Sequence, residues 1–320
     1  MQISVVVPTY KRPALLKKCL DALRLQTIDA TEYEVIVVSD GPDILTENMV
    51  NEMQDGYNQL RFIALSENKG PAAARNTGWL YAKGRIIAFT DDDCLPDKNW
   101  LKQIVTFIGE HTISAVSGRV IVPRAKRPTD YELNTSGLET AEFVTANCAC
   151  TKAALIAVGG FDERFRMAWR EDSDLHFKFL AQQVQLNYLD SAVVVHPVRQ
   201  ICWGVSLKEQ KKTLFNALLY QKHPQLYRMR IQSMPPMLYY FIVAAFALMI
   251  IGLLLANVAL IKSGLLFWAS LTAYFIIKRL YKTSLAPAHV AEMVITSVFI
   301  PFLSIYWQWY GAIKYRILFF

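Results

Sequence analysis

Cysteine is sparse and unpatterned. The five residues Cys19, Cys94, Cys148, Cys150 and Cys202 form no C-x-x-C pair and leave an odd count. That argues against a disulfide framework or a zinc site, and for a reducing compartment. Two nucleotide-binding loops are missing as well. No G-x-G-x-x-G follows the first strand-like run and no G-x-x-x-x-G-K-[ST] occurs anywhere. A dinucleotide oxidoreductase and a P-loop NTPase are both disfavoured. There is no internal repeat and no low-complexity tract. Residues 1–9 lack a basic n-region, so no signal peptide is expected. Acids nearly vanish from the end of the chain. From Met237 onward six Lys or Arg accompany one acid, Glu292, which leaves 28 bases and 26 acids before that point. The formal +7 therefore sits mostly on an apolar tail. This excludes nucleic acid as the reason for the basic balance and points to a membrane surface.

The most informative stretch is Ile86 to Cys94, Ile-Ile-Ala-Phe-Thr-Asp-Asp-Asp-Cys. A short apolar, β-branched run reads as a buried strand. It ends in three adjacent carboxylates, which a buried strand cannot hide unpaired. At the carboxyl end of a parallel strand they face the crevice where α/β sheets bind ligands. Alternation along an extended chain would put Asp91 and Asp93 on one side and Asp92 on the other. Two carboxylates on one side make a hard oxygen site suited to Mg²⁺ or Mn²⁺ shared with substrate phosphates.

The rest of the first 200 residues alternates strands with helices. Strand-like runs cover Ile3 to Val7, Tyr33 to Ser39 and Leu60 to Leu65, and helices start after Pro13, Ile44 and Pro71. Such alternation implies βαβ units and a parallel sheet. The strands end in Thr9-Tyr10, in Asp40, and in Asp91 with Asp93, and polar devices converging on one edge describe a site. Further on, Thr145 to Thr151 carries small residues and two Cys, without an assigned element. Trp169-Arg170-Glu171-Asp172-Ser173-Asp174 heads a helix, where capping alone would also explain Asp172 or Asp174. Leu186 to Val195 reads as a last strand, followed by His196.

In order, Val7-Pro8-Thr9-Tyr10, Ser39-Asp40-Gly41, Gly70-Pro71-Ala72 with Ala74-Arg75-Asn76 and Gly78, Asp91-Asp92-Asp93, Gly159-Gly160-Phe161-Asp162 and Glu171-Asp172 resemble family 2 glycosyltransferases of the GT-A fold. The resemblance covers about the first 200 residues. It implies an α/β, Rossmann-like domain that takes a sugar from a nucleotide-diphospho-sugar, binds a divalent metal through Asp-x-Asp and inverts the anomeric carbon. By the same resemblance, Pro8, Thr9, Tyr10, Asp40, Arg75, Asp91 and Asp92 form the donor-binding set. Thr9 and Asp40 hold the base and ribose, and Arg75 stabilises the base or diphosphate. Asp93, Asp91 and His196 are the metal-side residues. Asp172 matches the catalytic base, while Trp169 and Glu171 flank the acceptor. The family's processive polymerases usually carry Gln-x-x-Arg-Trp; here the nearest text is Arg199-Gln200-Ile201-Cys202-Trp203, which favours transfer of one or few sugars. Two other classes compete: a sugar-1-phosphate nucleotidyltransferase, which would want glycines where Thr9-Tyr10-Lys11-Arg12 stands, and a catalytically silent scaffold of glycan export.

Three regions are expected: a catalytic domain over 1–204, an amphipathic juxtamembrane segment over 205–235, and a membrane domain over 236–320. Lys208, Lys211, Lys212, Lys222, Arg228 and Arg230 interleave with Leu207, Leu214, Phe215, Leu218 and Leu219, as in an interfacial helix near anionic lipid. Met237 to Ile261 is uncharged and exceeds the ~20 residues that span a bilayer. Ser263 to Ile277 and Met293 to Ile313 follow, each closed by basic residues. Positive charge on the inner side keeps the catalytic domain in the cytosol at the cytoplasmic membrane. The expectation is a two-helix hairpin, with the third segment bent at Pro301 or, alternatively, crossing as well. An anchor beside a sugar-nucleotide site suggests a lipid-linked or surface-glycan acceptor.

Overall fold

The computed structural model describes residues 1–318. The chain runs β1 (Ile3–Thr9), α1 (Pro13–Arg24), β2 (Tyr33–Ser39), α2 (Ile44–Gln54), β3 (Leu60–Ala64), α3 (Pro71–Tyr81), β4 (Ile86–Phe89) and β5 (Leu95–Pro96). It continues through α4 (Trp100–Ile108), β6 (Ser114–Ile121), α5 (Asp130–Thr135), β7 (Cys148–Thr151), α6 (Lys152–Val158), α7 (Glu171–Ala181) and β8 (Gln185–Val195). Six helices follow: α8 (Val205–Glu209), α9 (Leu214–Lys222), α10 (Pro224–Arg230), α11 (Met237–Leu254), α12 (Val258–Leu280) and α13 (Pro287–Lys314). Two compact units result. One comprises Met1–Pro123 and Ser136–Val198; the other takes Arg124–Thr135 and the chain from Arg199.

The first unit is built on one eight-stranded sheet in the order β3-β2-β1-β4-β7-β6-β8-β5. All seven residues of β1 and of β2 are buried, because helices cover both faces and the strands read as continuous apolar runs. Val5 and Val7 join the side chains of α1 and α4 on one face, while Val6 joins α3, α6 and α7 on the other. The parallel pairing expected of the βαβ units holds for the first four strands and is interrupted there. β3, β2, β1 and β4 are parallel, but β7 runs antiparallel between β4 and β6. This strand is the unassigned small-residue stretch. Cys148 and Cys150 face one layer and Ala149 the other, and four residues are too few to show a period. A register shift at Gly118/Arg119 breaks the β6–β8 ladder. Asn147 fills the gap, donating to Arg119 O and Ala192 O at 2.8 Å each and accepting from Trp100 Nε1 at 2.8 Å.

The second unit corrects the boundaries expected for its hydrophobic runs. The uncharged stretch Met237 to Ile261 is not one helix. Ala256 adopts φ 49° and Asn257 caps α12, accepting from Ala259 N and Leu260 N, so the chain turns back there. The α11–α12 hairpin closes at Gly264, where a Cβ would lie 2.5 Å from Met249 N; small residues let apolar helices approach this closely. The amphipathic segment is not one helix either. It divides at His223, since Pro224 can start a helix but not continue one. Pro301 does not end α13, which runs unbroken over 28 residues. Helices α11, α12 and α13 are each long and apolar enough to cross a membrane.

Candidate active site

Paired registers bring Thr9 level with Ser39 and Val6 level with Phe89, so β1, β2 and β4 end on the same edge of the sheet. The acid triplet does not continue β4. It forms a tight turn closed by Cys94 N donating to Asp91 O at 3.1 Å. The turn, not strand alternation, sets the three directions. Asp91 meets Arg75 Nη2 at 2.8 Å. Asp92 is 0% exposed, accepts from Thr9 Oγ1 at 2.7 Å and pairs with Arg12 Nε at 3.1 Å. Asp93 Oδ1 lies 3.7 Å from His196 Nε2, just past β8. Asp92, expected among the donor contacts, is buried here and ties the acid turn to the β1–α1 junction. Pro8 is likewise buried within β1, whereas Tyr10 is half-buried, its ring under Lys11 and 3.4 Å from a Cβ built at Gly41.

Asp40 follows β2. Its carboxylate accepts from Lys69 N at 2.7 Å and from Gly70 N at 3.0 Å, which fixes the loop entering α3. Gly70 is needed there: φ is 98°, and a Cβ would lie 2.6 Å from Arg166 O. From α3, Arg75 reaches two acids, Asp91 and, at 3.1 Å, Glu171 Oε1. The guanidinium is buried and lies 5.8 Å from the Phe161 ring centroid. A planar fork holding two carboxylates is a task for which Lys is no substitute. Asn76, next to it, was part of the motif without an expected role. It accepts from Phe161 N at 2.9 Å and donates to Phe161 O at 3.0 Å, which pins the Gly-Gly-Phe-Asp turn.

At the head of α7, Arg170 adopts φ 75°, unusual for a residue with a side chain, and stacks its guanidinium 4.6 Å from the ring centroid of the partly exposed Trp169. Glu171, expected at the acceptor, is buried and pairs with Arg75. Burial pushes its carboxyl up to about 7, opposed by the charge of Arg75 and reinforced by the nearby carboxylates of Asp172 and Asp91. The neighbouring Asp172 is half-buried and accepts from Ser173 N at 2.6 Å. Burial raises its pKa, partly opposed by that bond and by the charges of Arg170 and Arg75. Asp174 is fully buried 3.4 Å from Lys178 Nζ, which removes it as an acid facing the crevice. Of the three acids heading the helix, Asp172 is the one left partly open.

Asp91, Asp93, Cys94 and His196 bring donor atoms within 4.8 Å of one another. Burial and the adjacent acids push the Cys94 thiol well up, so it stays protonated and is a poor ligand. The remaining donors are two carboxylates and an imidazole whose buried Nδ1 has no hydrogen-bond partner among the described residues. Two oxygens and one nitrogen with open positions suit a divalent cation that keeps water or substrate oxygens in its shell. Asp91, Asp92, Asp93, Glu171 and Asp172 outnumber the guanidinium groups of Arg12, Arg75 and Arg170 beside them, so the strand-end crevice favours a cation.

Residues 4–170, just over half the chain, match the family described as glycosyl transferase family 2. Glycosyltransferase AglE of Haloferax volcanii is 36% identical over 118 residues, 37% of this chain and 39% of that protein. The pre-mycofactocin glycosyltransferase of Mycobacterium tuberculosis is 28% identical over 212 residues, 62% of this chain and 43% of that one. The chain thus spans less than half the length of these two curated relatives. Among solved structures, the mannosyltransferase PcManGT of Pyrobaculum calidifontis, in complex with GDP-Man and Mn²⁺, superposes with a TM-score of 0.56 at 19% identity, covering 98% of this chain and 87% of that one. TarS 1–349 of S. aureus in complex with UDP gives 0.52, also at 19% identity, over 94% and 90%. These likenesses establish the GT-A fold.

Proposed function

The chain belongs to glycosyl transferase family 2, and on that premise we propose that it is a membrane-anchored, inverting enzyme transferring one sugar from a nucleotide-diphospho-sugar to a lipid-linked or surface-glycan acceptor. The observation that carries the reading is the division of labour among acids. Asp91, Asp93 and His196 converge at the strand ends, while Asp172 stands apart at a helix head, with Arg75 and Glu171 between them.

The donor's diphosphate would sit at the convergent acids, where Asp91, Asp93 and His196 hold the divalent cation. When bound, that cation neutralises charge developing on the diphosphate as it leaves. Asp40 keeps the loop before α3 in place beside the nucleotide, and Arg75 holds Asp91 in position. Asp172 accepts the proton of the acceptor hydroxyl. The acceptor oxygen bonds to the anomeric carbon as the bond from that carbon to the diphosphate oxygen breaks, with inversion. A base whose pKa burial raises from its ordinary value is better matched to neutral pH. Trp169 offers an aromatic face to a sugar ring. Membrane attachment through the apolar helices would keep the site at the cytosolic face beside lipid-borne acceptors.

The test is a panel of nucleotide-sugars offered to purified full-length protein with and without Mn²⁺ or Mg²⁺. The reading expects metal-dependent donor binding, release of free nucleoside diphosphate, and loss of that binding in Asp93→Ala. Pyrophosphate as the released product would instead favour the nucleotidyltransferase, and donor affinity unchanged in Asp93→Ala would remove the metal assignment.

A further inference from the structure

The second unit has three helices long enough to span a bilayer, but they are not alike. Only 17% of the apolar window is buried in α11 and in α12, against 39% in α13. Many of the contacts that hold α13 are polar. Near its start, His289 Nε2 accepts from Asp130 N at 3.0 Å and Glu292 Oε1 accepts from Gly204 N at 2.7 Å. In its middle, Thr296 and Ser297 accept from Arg279, which also pairs with Asp130 at 2.8 Å. Towards its end, Lys211 Nζ lies 5.6 Å from the Trp307 ring centroid, and Gly311 sits so close to the backbone of Leu214 that a Cβ would collide. At its end, Tyr315 O accepts from Gln221 Nε2 at 2.7 Å.

Those partners lie on one side of a membrane by connectivity alone. The stretch Arg124–Thr135, which holds Asp130, leaves the catalytic unit after Pro123 and rejoins it at Ser136. Gly204 follows closely on Val198, where that unit ends, and so short a tether cannot cross a hydrocarbon core of about 30 Å. Residues 205–222 carry Lys208, Glu209, Lys211, Lys212 and Lys222, too many charges for a span. Both ends of α13 are therefore tied to chain that has not crossed. The middle of the helix meets the hairpin: Ile300 packs with Ile242 and Phe275, and Phe302 lies 5.2 Å from Phe246. Ile242 lies near the start of α11, Phe246 at its middle and Phe275 in the last turns of α12, all away from the Leu255–Asn257 turn.

We propose that α13 does not cross the membrane but lies in the plane of its interface, on the face bearing the catalytic unit, so that the chain crosses only twice. The proposal rests on the membrane anchoring argued above. Its lipid-facing stripe is Ile295, Phe299, Tyr306, Tyr310 and Ile313, all exposed and spaced three, four or seven apart. The opposite face buries His289, Thr296, Ser297, Ser304 and Gln308 together with Met293, Ile300, Pro301 and Ala312. An exposed apolar stripe, a covered face that holds the polar groups, Tyr306, Trp309 and Tyr310 at headgroup depth, and neighbouring lysines are what an anionic bilayer interface takes up. The occupant of this stripe is the same bilayer that holds the hairpin.

The experiment labels one introduced cysteine at a time, with the exposed Cys202 changed to Ser and the four buried cysteines left in place, in the chain reconstituted in proteoliposomes containing anionic lipid. A membrane-impermeant maleimide reads Lys18→Cys in the catalytic unit, Leu255→Cys at the hairpin turn and Lys314→Cys at the end of α13, before and after lysis. Lys314→Cys should react in the same fraction as Lys18→Cys, and Leu255→Cys in the complementary fraction. Lys314→Cys following Leu255→Cys would overturn the proposal. Spin labels at Ile295, Phe299, Tyr306 and Ile313 should report one shallow depth; a deep maximum in the middle would mean a re-entrant loop and overturn it too. Extraction of the protein by a high-salt wash would overturn the anchoring itself, an outcome distinct from either labelling pattern.

Discussion

Each unit is braced within itself by an arginine, the buried Arg75 in the first and the largely covered Arg279 in the second, and the two are built differently. Arg75 faces two carboxylates, Asp91 and Glu171, with a third, Asp172, alongside the second. Arg279 faces one carboxylate, Asp130, and completes its shell with the neutral hydroxyls of Thr296 and Ser297. The second arrangement balances charge and asks nothing more of its surroundings. The first leaves an excess of negative charge at a strand-end crevice, which costs stability unless a cation arrives. A balanced buried pair is the mark of a brace, and an unbalanced one the mark of a site.

The largest effect should come from an acid that neither arginine holds directly. Asp172→Asn keeps the size and much of the hydrogen bonding but removes the proton acceptor. Turnover with saturating donor should fall on the order of 10²-fold or more, with donor affinity within a few-fold of the parent. Near-normal turnover in a stably folded Asp172→Asn protein would make Asp172 structural.

Next comes the unbalanced arginine. Arg75→Met leaves Asp91 and Glu171 facing each other without a cation, and should cost about 3–5 kcal/mol in denaturant unfolding. Adding Glu171→Gln should recover part of that loss. If the double variant is no more stable than Arg75→Met, the charge account of this site fails.

The balanced pair should be more forgiving. Asp130 and Arg279 keep 15% and 9% side-chain exposure, and two hydroxyls remain after either loss, so Arg279→Met should cost about 1–3 kcal/mol in thermal unfolding in detergent. Arg279→Met with Asp130→Asn should come back close to the parent. A double variant worse than the sum of the two would show that the pair is more than a brace.

Much of this was legible in the chain. Apolar runs broken by Thr9, Asp40 and Asp91 mark strand ends, because a buried strand can keep its polar groups only where it leaves the sheet. What escaped depends on distant partners. The directions of Asp91, Asp92 and Asp93 follow from a turn whose closure by Cys94 N leaves no pattern in the residues. β7 is too short and its side chains too small to announce a strand, and Asn147 matters only because a register shift opens a gap beside it. Asn76 looks like any helical Asn until the Gly160–Phe161 turn is brought against it, and the end of α11 rests on one left-handed residue, Ala256. A polar residue inside a family motif with no assigned chemistry, as with Asn76, is the one signal that points to a positioning role from the sequence.

The smallest effect separates the two arginines by pH. Glu171 is held at about 7 in the folded chain, above the ~4.3 of an unperturbed glutamate. The folded state therefore binds the proton more tightly than the unfolded state does. The stabilisation it gives is fully present below the unfolded value and is lost as pH rises through about 7. Between those limits stability should fall by at most about 1.4 kcal/mol per pH unit from this group. Near and above neutral pH Glu171 ionises and the crevice gains a charge, which deepens the excess already left by Asp91 and Asp172. A divalent cation should offset that gain, so thermal midpoints measured in chelator should decline from about pH 5 to 7 more steeply than midpoints in Mn²⁺. Glu171→Gln cannot ionise and should flatten the decline in chelator, whereas Asp130→Asn should leave its slope as in the parent. A slope unchanged in Glu171→Gln would mean that Arg75 holds Glu171 ionised throughout, and the two arginines would then differ in the number of their partners but not in the balance of charge around them.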